Sequence, residues 1–321
     1  MQFRVAALGE LLIDFTECGV STSGMKLFER NPGGAVANVL AAVTKLGGST
    51  AFLGKVGNDI HGQFLKSTLE EAGINTQGLI LAEDVFTTLA FVALSASGER
   101  TFSFARKPGA DTQLTVREVN DTVIQNARIL HIGSLSMTDE PARSATLCAI
   151  VRAKEMGKFV SYDPNYRATL WLNEEVAKAR MRELLPYVDI IKLSDEETGL
   201  LTERDDPAEA AAFLNARGIS CVAVTLGKRG ALVGVDGRCK IVPGYPLPSV
   251  DTTGAGDAFW GGVLYKILES GKYPCKITLS EMADYADFGN AVATCCVQKR
   301  GAIPAMPEME DVLLLMRKYR C

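Results

Sequence analysis

Asp251-Thr252-Thr253-Gly254-Ala255-Gly256-Asp257 runs without a break into Ala258-Phe259-Trp260-Gly261-Gly262-Val263-Leu264. The second half is apolar and predicts a helix; the first half places small residues at its start. Backbone N–H groups at such a start converge on an anion, and the helix dipole adds partial positive charge there. Gly254 and Gly256 lack the Cβ atoms that would hold a phosphate away. Asp257 falls in the first turn, beside that anion site. A carboxylate there either complements the dipole, worth about 0.3–1 kcal/mol, or accepts a hydroxyl proton while the amides stabilise a migrating phosphoryl group.

Outward from this stretch the chain keeps one rhythm, a short β-rich run followed by a helical one. Phe3–Leu8 reads as a buried strand. Ala35–Leu46 reads as a helix, with Val36, Val39, Leu40, Val43 and Leu46 on one face and Gly47 to stop it. Further strands are expected at Ala51–Val56, Arg128–Ile132, Phe159–Tyr162, Val188–Leu193 and Cys221–Leu226. Helices are expected at Phe64–Ala72, Ala142–Met156, Glu174–Leu185 and Ala208–Arg217. Asp206 and Pro207 open the last of these, and Thr278 with Glu281 forms a capping box for a long late helix. This alternation predicts an α/β fold with a mostly parallel central sheet flanked by helices on both faces. One region departs from it. Thr87–Ser95 and Arg100–Ala105 read as strands of a hairpin turning at Ala96-Ser97-Gly98-Glu99, and Asp14–Glu29 is poorly helical. Together they predict a small β-sheet beside the main layer, either an edge extension or a lid over substrate.

The chain has 321 residues, 47% hydrophobic and 22% charged, enough to bury a core without disulfides or metal. Thirty-four Lys and Arg against 38 Asp and Glu leave a net charge of −4, without the basic footprint that nucleic-acid binding requires. No apolar run reaches the roughly 18–20 residues of a membrane span, and Met1-Gln2-Phe3-Arg4 lacks a signal-peptide layout. Eight cysteines form no C-x-x-C, and with two histidines they support no zinc cluster. The expected setting is a reducing cytoplasm.

The seven letters from Asp251 to Asp257 would recur by chance about once in 10⁸ or more positions. They closely resemble the C-terminal signature of the ribokinase-like (PfkB-type) carbohydrate kinases. Asn31-Pro32-Gly33-Gly34-Ala35-Val36-Ala37-Asn38, with Lys45-Leu46-Gly47-Gly48, resembles that family's other signature. The resemblance spans essentially the whole chain. It implies a single ribokinase-like domain over residues 1–321, with a small β-sheet lid from about 14–30 and 87–110 that serves for homodimerisation. It also implies ATP-dependent phosphorylation of a sugar hydroxyl with Mg²⁺. In its terms Asp257 is the base, and Gly254, Ala255 and Gly256 form the anion hole. Asp14, Gly33, Gly34 and Asn38 are sugar contacts. Thr225, Gly227 and Gly230 belong to the nucleotide loop, and Asn290 lines the adenine pocket. Asp251 and Thr253 resemble a monovalent-cation (K⁺) site.

Lys192-Leu193-Ser194-Asp195-Glu196-Glu197 departs from the family's Asn-x-x-Glu, since Ser194 stands in place of Asn. Lys192 and Glu197 are still expected near the nucleotide, whose triphosphate charge needs neutralising. The run from Phe104 and Arg106 to Asp111, and Asp163-Pro164-Asn165-Tyr166-Arg167, look most like fructokinases; Phe104, Arg106 and Arg167 are the sugar contacts this implies. Two arginines also suit a carboxylate, which makes 2-keto-3-deoxygluconate the alternative substrate. No G-x-x-x-x-G-K-[ST] exists and no G-x-G-x-x-G follows the first strand, which disfavours P-loop kinases and dinucleotide-dependent dehydrogenases. A non-catalytic sugar or nucleotide sensor on the same fold is the rival from another class. Phosphorylation of D-fructose at the 6-hydroxyl is the expected activity.

Overall fold

Val5 and Ala7 enter one apolar layer and Ala6 and Leu8 the other, and all four are buried. Successive strand residues point to opposite faces, so a strand apolar on both is an interior strand of a covered parallel sheet. The computed structural model describes residues 4–94 and 100–320. This first strand, β1 (Val5–Leu8), pairs in parallel with β4 (Thr50–Gly57) on one side and β8 (Ile129–Ile132) on the other. β5 (Asn75–Ala82) adds beyond β4. Beyond β8 come β9 (Phe159–Tyr162), β10 (Ile190–Ser194) and β11 (Cys221–Thr225), and then antiparallel β12 (Ala231–Val235) and β13 (Arg238–Val242). Among the described residues these form one nine-stranded sheet.

A second, four-stranded sheet has the order β3-β2-β6-β7, built from β2 (Leu12–Val20), β3 (Lys26–Gly33), β6 (Leu89–Leu94) and β7 (Arg100–Ala105). β2 leaves β1 through Gly9–Leu11, so this sheet branches from an interior strand of the main one, two strands from the β5 edge. Phe3 and the expected turn at 96–99 lie outside the described residues.

Helices cover both faces: α1 (Ala35–Lys45), α2 (Ile60–Glu71), α3 (Asp121–Asn126), α4 (Ala142–Glu155), α5 (Glu174–Glu183), α6 (Thr198–Thr202), α7 (Pro207–Asn215), α8 (Ala255–Ser270), α9 (Leu279–Cys296) and α10 (Met309–Arg320). α2 begins four residues before the apolar period does, because Asp59 caps it by accepting from His61 and Gly62 amides. The same carboxylate accepts the Thr87 amide, so β6 starts only at Leu89. α5 ends at Glu183, and Pro186 sits in a 3₁₀ turn whose close on Val188 delays β10 to Ile190. The caps at Asp206 and Thr278/Glu281 form as expected. α10 lies beyond the helices expected from sequence, although Val312, Leu315, Met316 and Tyr319 carry its period and pack on the α9 layer.

α1, α8 and α9 share one face of the sheet, and glycines set their spacing. A Cβ on Gly261 would lie 2.5 Å from the Ala42 Cβ, and one on Gly262 3.0 Å from the Gly289 Cα. Only glycine allows so close an approach. It brings the start of α1 against the start of α8.

Candidate active site

The first turn of α8 carries Asp257, and its neighbours decide what that carboxylate does. Gly254 holds the left-handed conformation (φ 75°) that turns the loop into the helix. The Ala255 amide turns back to the Thr252 carbonyl (3.2 Å), and the Ala258 amide closes the first helical bond on Gly254. The first amides of a helix have no intrahelical carbonyl, so Gly256 and Asp257 supply the N–H groups at the tip. Of the expected Gly254–Gly256 amides, that of Ala255 is engaged by the Thr252 carbonyl. A Cβ on Gly256 would stand 3.0 Å from the Lys192 Nζ, so an ammonium lies directly beside those amides.

Lys192, near the end of β10, is buried and donates to both oxygens of Asp163 (3.2 and 2.9 Å), which follows β9. Burial pulls its pKa down, but Asp163, Glu197 and Asp257 outweigh that and hold it above the ordinary lysine value. Asp257 is 7% exposed. Burial first and Asp163 second raise its pKa to about 6, against the opposing Lys192, Asn38 and Arg167. The Asn38 side chain in α1 donates to Asp257 Oδ2 at 2.8 Å. Behind this group Trp260 donates to Ser161 (2.9 Å), which also meets His131 Nδ1 (3.0 Å). Burial and Lys192 keep that imidazole neutral, with a pKa of about 3.

The small sheet forms the facing wall. Asp14 projects from β2, and burial raises its pKa to about 6 against Arg167. A Cβ on Gly33 would collide with the Asp14 carboxylate. Gly34 stands at φ 131°, where a side chain would also meet the Glu10 carbonyl oxygen at 2.5 Å. Gly34 is thus required by the close turn between β3 and α1, while Gly33 leaves room for the Asp14 side chain on the neighbouring strand.

A single cleft of about 730 Å³ joins the two walls. It brings together Asp14, Gly33, Gly34, Asn38, Phe104, Arg167, Lys192, Glu197, Thr225, Asp251, Thr253 and the run from Gly254 to Asp257. Other expected site residues stand elsewhere. Arg106 is turned inward: its Nε donates to Asp111 (2.8 Å), and its other nitrogens reach Thr138 and the Leu135 carbonyl. The Asn290 side chain donates to the Val242 and Pro243 carbonyls and fastens the exit of β13. Gly227 and Gly230 shape the turn after β11 outside the cleft lining, and a Cβ on Gly230 would collide with the Val242 carbonyl. The Glu197 oxygens accept the amides of Tyr166 (2.7 Å) and Ser194 (2.8 Å), so this carboxylate ties the strand ends together. Asp251 accepts from Thr253 with one oxygen and from the Gly301 amide with the other, joining two loops at the cleft rim.

Two residues of the site escaped the sequence reading. Asp163 opens the segment from which only Arg167 was singled out. Glu10 is a carboxylate between the apolar runs Val5–Leu8 and Leu11–Ile13, and that contrast was its signal. It is 3% exposed, and burial raises its pKa to about 7. Among the described residues no three His, Cys, Asp or Glu are grouped to hold a metal, and no helix is long and apolar enough to cross a membrane.

The chain that builds this cleft has counterparts along its whole length. The model of the pfkB family carbohydrate kinases matches residues 2–309. Fructokinase-2 of Oryza sativa subsp. japonica is 41% identical over 317 residues, covering 98% of this chain and 94% of that protein. A fructokinase of Xylella fastidiosa with bound ATP superposes with a TM-score of 0.92 at 32% identity, covering 100% of both chains. A fructokinase double mutant of Vibrio cholerae O395, bound to fructose, ADP and potassium, does so with a TM-score of 0.88 at 32% identity over 98% of each. The chain belongs to the pfkB family of carbohydrate kinases.

Proposed function

We propose that this carbohydrate kinase transfers the γ-phosphoryl group of ATP to the 6-hydroxyl of D-fructose, with Asp257 as the general base. The observation that carries the reading is the buried Asp257 carboxylate at the α8 tip, held by Asn38 and facing Asp14 across the same cleft. The sugar rests on the Gly33–Gly34 turn with a hydroxyl on Asp14. Its 6-hydroxyl gives its proton to Asp257 as the new O–P bond forms and the bond to the β-phosphate oxygen breaks, releasing ADP. The Gly256 and Asp257 amides and the Lys192 ammonium stabilise the charge on the migrating group. The small sheet acts as a lid over this step within a single domain.

Magnesium bound with the nucleotide would neutralise its triphosphate charge; Glu197, whose oxygens accept two backbone amides, would hold the strand ends beside it. We assign Asp251 and Thr253 to the neighbourhood of a potassium ion, the cation bound in the Vibrio cholerae fructokinase. Fructose is favoured over 2-keto-3-deoxygluconate because Asp111 already neutralises Arg106, leaving Arg167 as the one arginine of the expected pair in the cleft. A homodimer through the small sheet is supported by the half-exposed Phe28 and Phe91. The described cysteines are free thiols, in keeping with a reducing cytoplasm.

A coupled ATP-consumption assay with fructose, ribose, adenosine, fructose 6-phosphate and 2-keto-3-deoxygluconate tests the reading. Fructose is expected to give the highest kcat/KM. Preference for the keto acid would overturn the substrate, and tight sugar binding without turnover would favour a sensor.

A further inference from the structure

Helix α1 starts on a residue that cannot cap it. Gly34 has no side chain, and the first turn of α1 contains no acidic residue. The cap comes instead from Glu10, twenty-five positions upstream, whose Oε1 accepts the Ala35 amide at 2.8 Å. A carboxylate there satisfies an orphan donor and complements the helix dipole. The backbones meet at the same junction, where a Cβ on Gly34 would lie 2.5 Å from the Glu10 carbonyl oxygen. One turn further on, the Asn38 amide closes on the Gly34 carbonyl (3.0 Å), and its side chain holds Asp257 at 2.8 Å. A continuous path of hydrogen bonds thus runs from Glu10 through the first turn of α1 to the reacting carboxylate.

We infer that Glu10 is a positioning residue for phosphoryl transfer: by capping α1 from the β1–β2 connection, it sets Asn38 and through it the orientation of Asp257. This rests on the reading of Asp257 as the base. Without the cap the first turn frays, and a misplacement of about 1 Å at a reacting group costs roughly 100-fold in rate. Losing the Asn38 bond also leaves burial and Asp163 opposed only by Lys192 and Arg167, so the pKa of Asp257 rises. The charged groups acting on Glu10 itself are Asp111 and Arg106, which pair with each other.

Glu10→Ala and Ala35→Pro each break the cap from one side. Proline is favoured at the first helical position and has no N–H to donate, so it breaks the bond while Glu10 is kept, should Glu10→Ala not fold. Each variant is expected to lower kcat roughly 10–100-fold and to leave KM for ATP nearly unchanged. Each also moves the acid limb of kcat to higher pH. Glu10→Gln, whose amide oxygen accepts the same bond, should recover most of the turnover, and the double variant should be no worse than either single one. Parental kcat in Ala35→Pro, a fall in kcat with an unmoved acid limb, or additive losses in the double variant would overturn the inference. Asp257→Asn run in parallel separates the two claims: if it keeps full turnover, the base assignment falls instead.

Discussion

Asn38 and Asp257 lie 219 positions apart in the chain, yet the amide of one donates to the carboxylate of the other across 2.8 Å. The bond fixes which oxygen of Asp257 remains open to the cleft and joins the chain's two glycine-rich runs into one site. Four expectations follow from this arrangement and its surroundings.

Replacing Asp257 by Asn should lower kcat by roughly 10²–10⁴ and make the protein more stable at neutral pH. Burial raises this carboxyl from 3.8 to about 6, so between these values the folded state binds a proton more tightly than the unfolded one. Stability then falls as pH rises through that window, and above it the ionised group costs about 1–3 kcal/mol. Thermal unfolding at pH 8 and pH 4 checks this: Asp257→Asn should gain Tm at the higher pH and little at the lower.

The activity should carry an acid limb near pH 6. Asp257 and Asp14 both ionise at about 6, and each must be a carboxylate to accept a hydroxyl. The limb of kcat/KM for the sugar should therefore be steeper than that of kcat, because kcat/KM reports groups of the free enzyme. A profile flat down to pH 4.5 would remove both residues from their roles.

Lys192→Met strips Asp163 of its ion-pair partner in a place where that carboxylate is 1% exposed. Breaking such a pair from one side destabilises by roughly 3–5 kcal/mol, readable as a lower midpoint in urea. Asp257 would also lose the cation that lowers its pKa, so the acid limb of the residual activity should move upward.

Gly33→Ala puts a methyl group against the Asp14 carboxylate without touching the α8 tip. With Asp14 in the proposed role of sugar contact, displacing its carboxylate should raise sugar KM by about tenfold or more. KM for ATP should stay near the parental value. Initial-rate kinetics in both substrates separate the two effects.

The alternating architecture was legible because strands such as β1 and β11 are apolar on both faces, a pattern that survives without long-range information. The start of α8 was legible for a similar reason: small residues before an apolar run have few other uses. What escaped depends on distant partners. The start of α2 is decided by Asp59, while its first residue Ile60 is 74% exposed and breaks the apolar period. Arg106 and Asn290 are chemically suited to ligands, and only folding reveals that Asp111 and two backbone carbonyls claim them first. Asp163 had an ordinary sequence neighbourhood, Glu10 only the contrast with its apolar flanks, and the weight of both comes from the groups that burial forces beside them.

The contact at Gly261 extends this logic to a place no substrate reaches. Because the α8 backbone rests directly on Ala42, no side chain cushions the crossing, and a single added methyl must shift one rigid rod against the other. Such a shift pivots the ends of both helices where their amide and acid meet. A change at this crossing would therefore reach the cleft wall from the core, where Asn38 and Asp257 line it.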